Sequence, residues 1–361
     1  MTKKTVTVLQ MNDLHGYLSP HLEYFWNGST QAYQTVGGLA KIASYFEKLR
    51  NEKKGVLIGD NGDTIHGTYP VVKSKGEQMI PLLNDLAFDG MTAHWDFAYG
   101  PKYLENLAKK LAYPLLAVNC YEEQTDKLFF DPYRIVEKND LQIAILGVAA
   151  TIVDKTMPES FSKGIYLTNG IEELKAHIET LKKDEKVDLI IVLSHMGYPQ
   201  ECHMAKMVDN IDIFLSGHTH NRVYQPTIIN DTIIIQSGCH GSFIGQLDIV
   251  VENRKVKDYK HQLVLMDENI QTSERMAEKV SKIMEPIEEK LDVELGKTKT
   301  ALTRDRVMEA TMDTFLLEAL KTAAGTEIAF SNGWRYGAPI APGPIKENDL
   351  WNIIPVNPPI S

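Results

Sequence analysis

The sequence predicts an α/β fold in which two β-sheets pack face to face between helices, a four-layer αββα sandwich. Three observations carry this. Short runs of β-branched and apolar residues recur from residue 5 to residue 238, segments with helical spacing separate several of them, and the strand-like runs crowd together past residue 230. Runs apolar on both faces, alternating with helices, mean a sheet covered on both sides. The crowding of later strands implies a second sheet packed on the first.

The expected strands are TVTVLQM (5–11), GVLIGD (55–60), YPLLAVN (113–119), LQIAILGVA (141–149), VDLIIVLSH (187–195), IDIFLSGH (211–218) and TIIIQSG (232–238), followed by SFIGQLDIVVE and VKDYKHQLVLM. The expected helices lie at 38–52, 77–86, 101–112 and 171–184. Residues 269–291 place Met276, Val280, Ile283, Met284, Ile287 and Leu291 along one stripe and read as an amphipathic helix leaving the core. A further helix is expected at about 306–323, before an end rich in Pro, Gly and Asn. The 361 residues exceed one ordinary core. The expected organisation is a core domain at 1–268, a linker helix at 269–293 and a short α+β C-terminal segment at 294–361.

Composition narrows the function. The charged fraction of 24% is ordinary, and the net charge is −10. An acidic chain is a poor partner for nucleic acid, whose binding runs on neutralising phosphates with Lys and Arg. A small anionic substrate remains compatible, because bound metal ions reverse the local field. No apolar run long enough to span a membrane is present, so no membrane partner is expected. No apolar leader precedes the strand at Thr5, which gives a cytoplasmic expectation, or a periplasmic one if a leader has been removed. Cys120, Cys202 and Cys239 form no CxxC pair and read as free thiols, which suits a reducing compartment. Oligomeric state is not legible.

The Asp and His residues carry the chemistry. Asp13 and His15 sit in NDLHG, Asp60 and Asp63 in GDNGD, His94 in TAHWD, His195 at the end of LIIVLSH, and His218 and His220 in SGHTH. All follow expected strands or lie at strand ends, and such ends converge on one edge of an α/β sheet, where ligands bind. D-x-H and H-x-H aim both side chains one way if the strand continues through them. Alone, D-x-H is weak and GDNGD reads equally as a turn with Asx caps. Together, Asp13, His15, Asp63, His94, His195, His218 and His220 are too many ligands for one tetrahedral metal and suit two ions sharing a carboxylate. Carboxylate with imidazole suits manganese, iron or zinc.

NDLHG, LIGDNGDTIHGT, LSHMG and SGHTH closely resemble the motifs of the 5′-nucleotidase family, a branch of the metallophosphoesterases, over roughly residues 5–250. The resemblance implies that Asp63 bridges two divalent cations. Asp13, His15 and His220 would complete one site, and His195 and His218 the other, with Asp60 orienting them. Manganese is the first expectation, before zinc or iron. The family's GNHE motif is AHWD here (93–96): His94 replaces an Asn ligand, Trp95 replaces the His that helps the leaving group, and Asp96 replaces Glu. Indole N–H does not titrate usefully, and general acid help is typically worth about 10²- to 10⁴-fold. The expected catalytic set is therefore Asp60, Asp63, His94 and Asp96, acting with a bridging hydroxide.

AHWDFAYG, GCHGSFIG (238–245) and FSNGWRYG (330–337) also look like SoxB-type proteins, which resemble 5′-nucleotidases but hydrolyse sulfur esters. His240 is then a residue near the site. FSNGWRYG aligns with a segment whose Arg grips the substrate anion, which points to Arg335 with Asn332 and Trp334; Trp95 and His240 complete the expected substrate contacts. The chain covers only the start of the C-terminal domain of that family. Three functions follow: hydrolysis of nucleotides or other small phosphate esters, hydrolysis of sulfur esters, or metal binding with catalysis lost.

Overall fold

The computed structural model describes residues 3–304, 309–331 and 337–355. One sheet runs, edge to edge, through Lys255–Leu265, Phe243–Glu252, Lys4–Met11, Val56–Asp60 and Gly90–Met91. The other runs through Thr227–Ile229, Thr232–Ile235, Ile213–Leu215, Leu189–Ser194, Leu141–Val148 and Tyr133–Lys138. The strands at Lys4 and Val56 pair in parallel, Leu9 opposite Ile58, as do those at Ile213 and Leu189. Their carboxyl ends therefore share an edge within each sheet.

The period of two along each strand sorts side chains into layers. Val6 and Val8 meet Ile143, Ile145, Ile191 and Leu193 between the sheets. Leu9 and Met11, on the opposite face, pack against Ile42, Phe46 and Leu49 of the helix Leu39–Glu52. Ala144, Leu146, Ile190 and Val192 pack against Leu174, Ile178 and Leu181 of the helix Ile171–Lys183. Two sheets between two helical layers make the expected four-layer αββα sandwich.

Several elements differ from the sequence reading. Residues 113–119 form no strand: Leu115 and Leu116 make only isolated bridges, to Met91 and Asp131. Pro114 has no N–H to extend a ladder. The helix expected at 77–86 opens as a 3₁₀ turn before Ile80–Leu86, and the one expected to Ala112 ends at Ala108. A hairpin at His21–Asn27 and Thr30–Val36 and a helix at Tyr198–Met207 were not anticipated. The amphipathic helix spans Glu274–Leu291, capped by Ser273, whose Oγ accepts the Met276 N–H. It does not leave the core: Met276 and Val280 bury in the same layer as Phe46.

Beyond it, Glu294–Thr298 pairs with Gly343–Lys346, and the helix Thr311–Ala324 lies where one was expected; residues 306–308 fall outside the described residues. Leu302, Met312, Ile340, Ile345 and Ile353 form a small separate core. Among the described residues, no helix is long and apolar enough to cross a membrane.

Candidate metal centre

Asp13 and His15 follow the strand Lys4–Met11, Asp63 follows Val56–Asp60, and His94 follows Gly90–Met91. His195 follows Leu189–Ser194, and His218 and His220 follow Ile213–Leu215. None continues its strand, so the two-residue spacing does not work by strand alternation. Asp13, His15, Asp63, His218 and His220 instead take left-handed backbone, with φ of 51°, 49°, 53°, 71° and 56°. Positive φ is uncommon outside glycine, and such strain gathers at functional sites. The loops hold one another in it. The Asp13 N–H donates to the Gly62 carbonyl at 3.1 Å and the His15 N–H to the Asp63 carbonyl at 2.7 Å. The His218 N–H donates to the Asp13 carboxylate at 3.0 and 3.1 Å.

The side chains converge in two groups, Asp63/His94/His195/His218 and Asp13/His15/His220. Asp63 lies between them: its Oδ2 is 3.1 Å from His195 Nε2 and 3.6 Å from His15 Nε2, and its Oδ1 is 3.1 Å from His94 Nδ1. In the second group, His220 Nε2 is 3.2 Å from both Asp13 Oδ1 and His15 Nε2. Ligands about 2.0–2.2 Å from a metal stand roughly 3.0–3.5 Å apart around it, so these spacings fit ions at both positions. Two imidazole nitrogens 3.2 Å apart share at most one proton, and His94 Nε2 is buried without a hydrogen bond among the described residues. The donor set therefore fits two divalent cations.

The electrostatics fit the same reading. Burial alone would raise the Asp13 and Asp63 carboxyls, but the neighbouring imidazoles outweigh it and hold both below the usual carboxylate range. Burial would lower His195, yet Asp63 and Asp13 push it up to about 10. Burial pushes His15 and His218 down to about 3, leaving them neutral with lone pairs to give. Cations entering the site replace protons held by the carboxylates' partners.

Asp96 and Asp60, expected among the catalytic residues, hold the backbone. Asp96 is fully buried and accepts the N–H groups of Asp63, Thr64, Ile65 and His94 at 2.9–3.2 Å. Asp60 Oδ1 accepts from the Gly62 N–H at 3.1 Å and the Thr64 hydroxyl at 2.6 Å, and burial pushes this carboxyl up to about 7. Trp95 donates its backbone N–H to Asp63 Oδ1 at 2.6 Å, and its ring stacks on His66 at 5.0 Å. His240 stacks on Tyr17 at 4.2 Å, with its ring 5.9 Å from those of His15 and His220. With His21 and Glu23 it forms a third group of potential ligands, though Glu23 already binds Arg222, Ser242 and the Tyr24 N–H. Arg335, Asn332 and Trp334 lie outside the described residues.

Sequence reasoning missed the amides behind the ligands. The Asn61 side chain donates to the Ser194 and Leu215 carbonyls at 3.1 and 2.6 Å, joining the two sheets, while the Asn61 backbone carbonyl accepts His195 Nδ1–H at 2.6 Å. That bond orients the imidazole and aims Nε2 at Asp63. Gln10 donates to Asn61 and to the Ser216 carbonyl, Asn12 to Asp13 and the Gly238 carbonyl, and Gln236 to the Gly217 carbonyl. Glu201 accepts the N–H groups of Met196 and Gly197, just past His195. The available signal was a buried amide inside each motif, Asn12 in NDLHG and Asn61 in GDNGD.

Comparison with known proteins meets this geometry. The family model for calcineurin-like phosphoesterases matches residues 6–222. The trifunctional nucleotide phosphoesterase protein YfkN of Bacillus subtilis is 23% identical across 97% of the chain, which spans only 26% of that protein's length. In structure, the chain is similar to the sulfate thiohydrolase SoxB of Thermus thermophilus, with a TM-score of 0.89 at 21% identity, over 96% of this chain and 73% of that one. It is similar also to a 5′-nucleotidase precursor of Thermus thermophilus, with a TM-score of 0.86 at 22% identity, over 97% and 74%. At these identities the likeness establishes the fold.

Proposed function

The chain belongs to the calcineurin-like phosphoesterase family, and on that premise we propose that it hydrolyses small phosphate esters of the nucleotide type. Asp13, His15 and His220 would hold one divalent cation, and His94, His195 and His218 another, with Asp63 shared. Such cations, manganese first among them, supply Lewis acidity at the ester oxygens and make water nucleophilic at neutral pH. The observation that carries the reading is Asp63, whose Oδ2 lies within 4 Å of imidazoles from both groups.

The chain's own residues do the positioning. Asp96 fixes the turn at 63–65 and the start of the His94 loop, so a bridging carboxylate and one imidazole move as a unit. Asn61 ties His195 to the strand ends of both sheets. At residue 95 the indole is a donor that does not titrate, so it delivers no proton to a leaving group. Esters with acidic leaving groups, such as aryl phosphates, should therefore be cut faster than alkyl ones.

The same Trp95 favours a second reading, hydrolysis of sulfur esters. Metal-loaded protein is tested on AMP, an aryl phosphate, an aryl phosphodiester and a thiosulfonate, beside the His94→Asn/Trp95→His variant. Cleavage of the phosphate esters by the parent is the expected result, with the variant gaining about 10²-fold or more on AMP. A parent that cuts only the thiosulfonate moves the sulfur-ester reading ahead. A parent that binds metal and cuts none of the four shows that catalysis has been lost.

A further inference from the structure

A cleft of about 390 Å³ opens beside His220, between the hairpin at 21–36, the loop after SGHTH and the C-terminal segment. Arg222 and Arg304 both line it, in a chain whose net charge is −10. Among the described residues its one lining carboxylate is Glu23, which is already engaged: Oε1 takes Arg222 Nη2 at 2.9 Å and Oε2 takes the Ser242 hydroxyl at 2.8 Å.

Arg222 is fixed in place. It donates to the Tyr24 carbonyl at 2.7 Å, and its guanidinium lies 5.0 and 5.1 Å from the ring centres of Phe25 and Phe243. Arg304 differs. Its side chain is only 7% exposed, its Nε lies 3.2 Å from Asp313 Oδ1, and its Nη1 is buried and makes no hydrogen bond among the described residues. A buried guanidinium N–H without an acceptor is costly to keep, and an oxyanion is the ligand that relieves the cost through charge-assisted bonds. Trp26, 54% exposed, adds an aromatic face to the lining.

We propose that this cleft binds a second anionic group of the substrate, a phosphate or carboxylate distinct from the ester that is cut, with Arg304 as its principal donor. The proposal rests on the hydrolase reading, because the cleft opens on the metal ligand His220. It narrows the substrate class to esters with two anionic groups.

The test compares wild type with Arg304→Met and Arg304→Lys, all loaded with manganese. The substrates are 4-nitrophenyl phosphate, which has no second anion, ADP, which has a second phosphate, and 4-carboxyphenyl phosphate, which has a carboxylate. Arg304→Met should lower kcat/KM on the doubly anionic esters about 10- to 100-fold more than on 4-nitrophenyl phosphate, chiefly through KM. Arg304→Lys, which keeps a cation opposite Asp313, should fall between; whichever doubly anionic ester loses more identifies the preferred oxyanion. Equal losses on all three substrates overturn the subsite.

Calorimetric titration of inorganic pyrophosphate into the same loaded proteins gives an arm that needs no turnover. Binding about tenfold weaker in Arg304→Met supports the subsite even if no ester is cut, in which case the hydrolase reading alone fails. Binding unchanged by the substitution overturns the subsite whatever the turnover.

Discussion

Around the candidate metal ligands, buried side-chain carboxylates and amides bond the backbone of neighbouring loops and strand ends in both sheets, whereas the segment after Leu291 has a core of five apolar residues. That segment leaves Ile328 and Phe330 in solvent, 68% and 88% exposed. Its ties to the main domain include, among the described residues, Lys290 to Glu347, Tyr69 and Lys73 against Trp351, and the Ala338 N–H on the buried Tyr17 hydroxyl. The difference separates two tasks. Residues 4–265 carry every candidate ligand, and the segment supplies one wall of the cleft, including Arg304. Damage to the first region should appear as lost metal, and damage to the second as altered substrate affinity.

The largest effect is expected from Asp63→Ala. It removes the carboxylate between the two groups, so elemental analysis should find both cations depleted and turnover should vanish. Two retained ions with full turnover would break the comparison at its root. Next comes Asn61→Ala, which keeps every ligand but cuts the bonds to the Ser194 and Leu215 carbonyls. The backbone carbonyl that accepts His195 Nδ1–H stays in place and only the loop carrying it is loosened, so metal binding should weaken by less than the about 10- to 100-fold typical of losing a ligand's direct partner, measured here by chelator competition. A change in KM with metal affinity intact would show that the amides serve the substrate and not the ligands.

Proton release sharpens the same contrast. In the metal-free protein Asp63 and Asp13 hold His195 protonated up to about pH 10, and a metal ligand must be neutral. Metal binding therefore displaces a proton at any pH below that value, and affinity should rise with pH through neutrality. Calorimetry at about pH 7 in two buffers of different ionisation enthalpy should show proton release from both His195 and His220, whose imidazole is likewise held well above its usual range despite burial. Heats independent of the buffer would contradict the charge balance around Asp63.

The contrast also explains what the sequence could reveal. The candidate ligands are rare residue types gathered just past strand ends, and the layers follow from period-two patterns such as Val6, Val8 against Leu9, Met11, so the convergence of these side chains and the layering were legible. What stayed hidden depends on contacts between loops. Asp13 and His220 face the site through left-handed backbone that neighbouring loops impose, and no local propensity encodes that. Asn61 looks like a turn residue until its partners, more than 130 positions away, are known. The hairpin at 21–36 is half exposed and lacks a clean alternation, and the helix Tyr198–Met207 buries only Glu201, Met204 and Ala205. The run at 113–119 is apolar because it is buried, and Pro114 keeps it from forming a strand.

The smallest effect is the most discriminating. Tyr17 is 3% exposed; its ring stacks on His240 and its hydroxyl accepts the Ala338 N–H at 2.9 Å. Tyr17→Phe keeps the stack beside the metal ligands and removes only the bond to the C-terminal segment. One such bond contributes about 1 kcal/mol net, so KM for a doubly anionic ester should rise about two- to fivefold. Metal content and kcat on 4-nitrophenyl phosphate should hold. If metal content falls instead, the stack beneath His240 depends on the segment's contact, and the ligand loops are not self-supporting. If KM rises alone, the segment is docked independently of the metal centre, and Tyr17 is where substrate affinity can be altered without disturbing the ions.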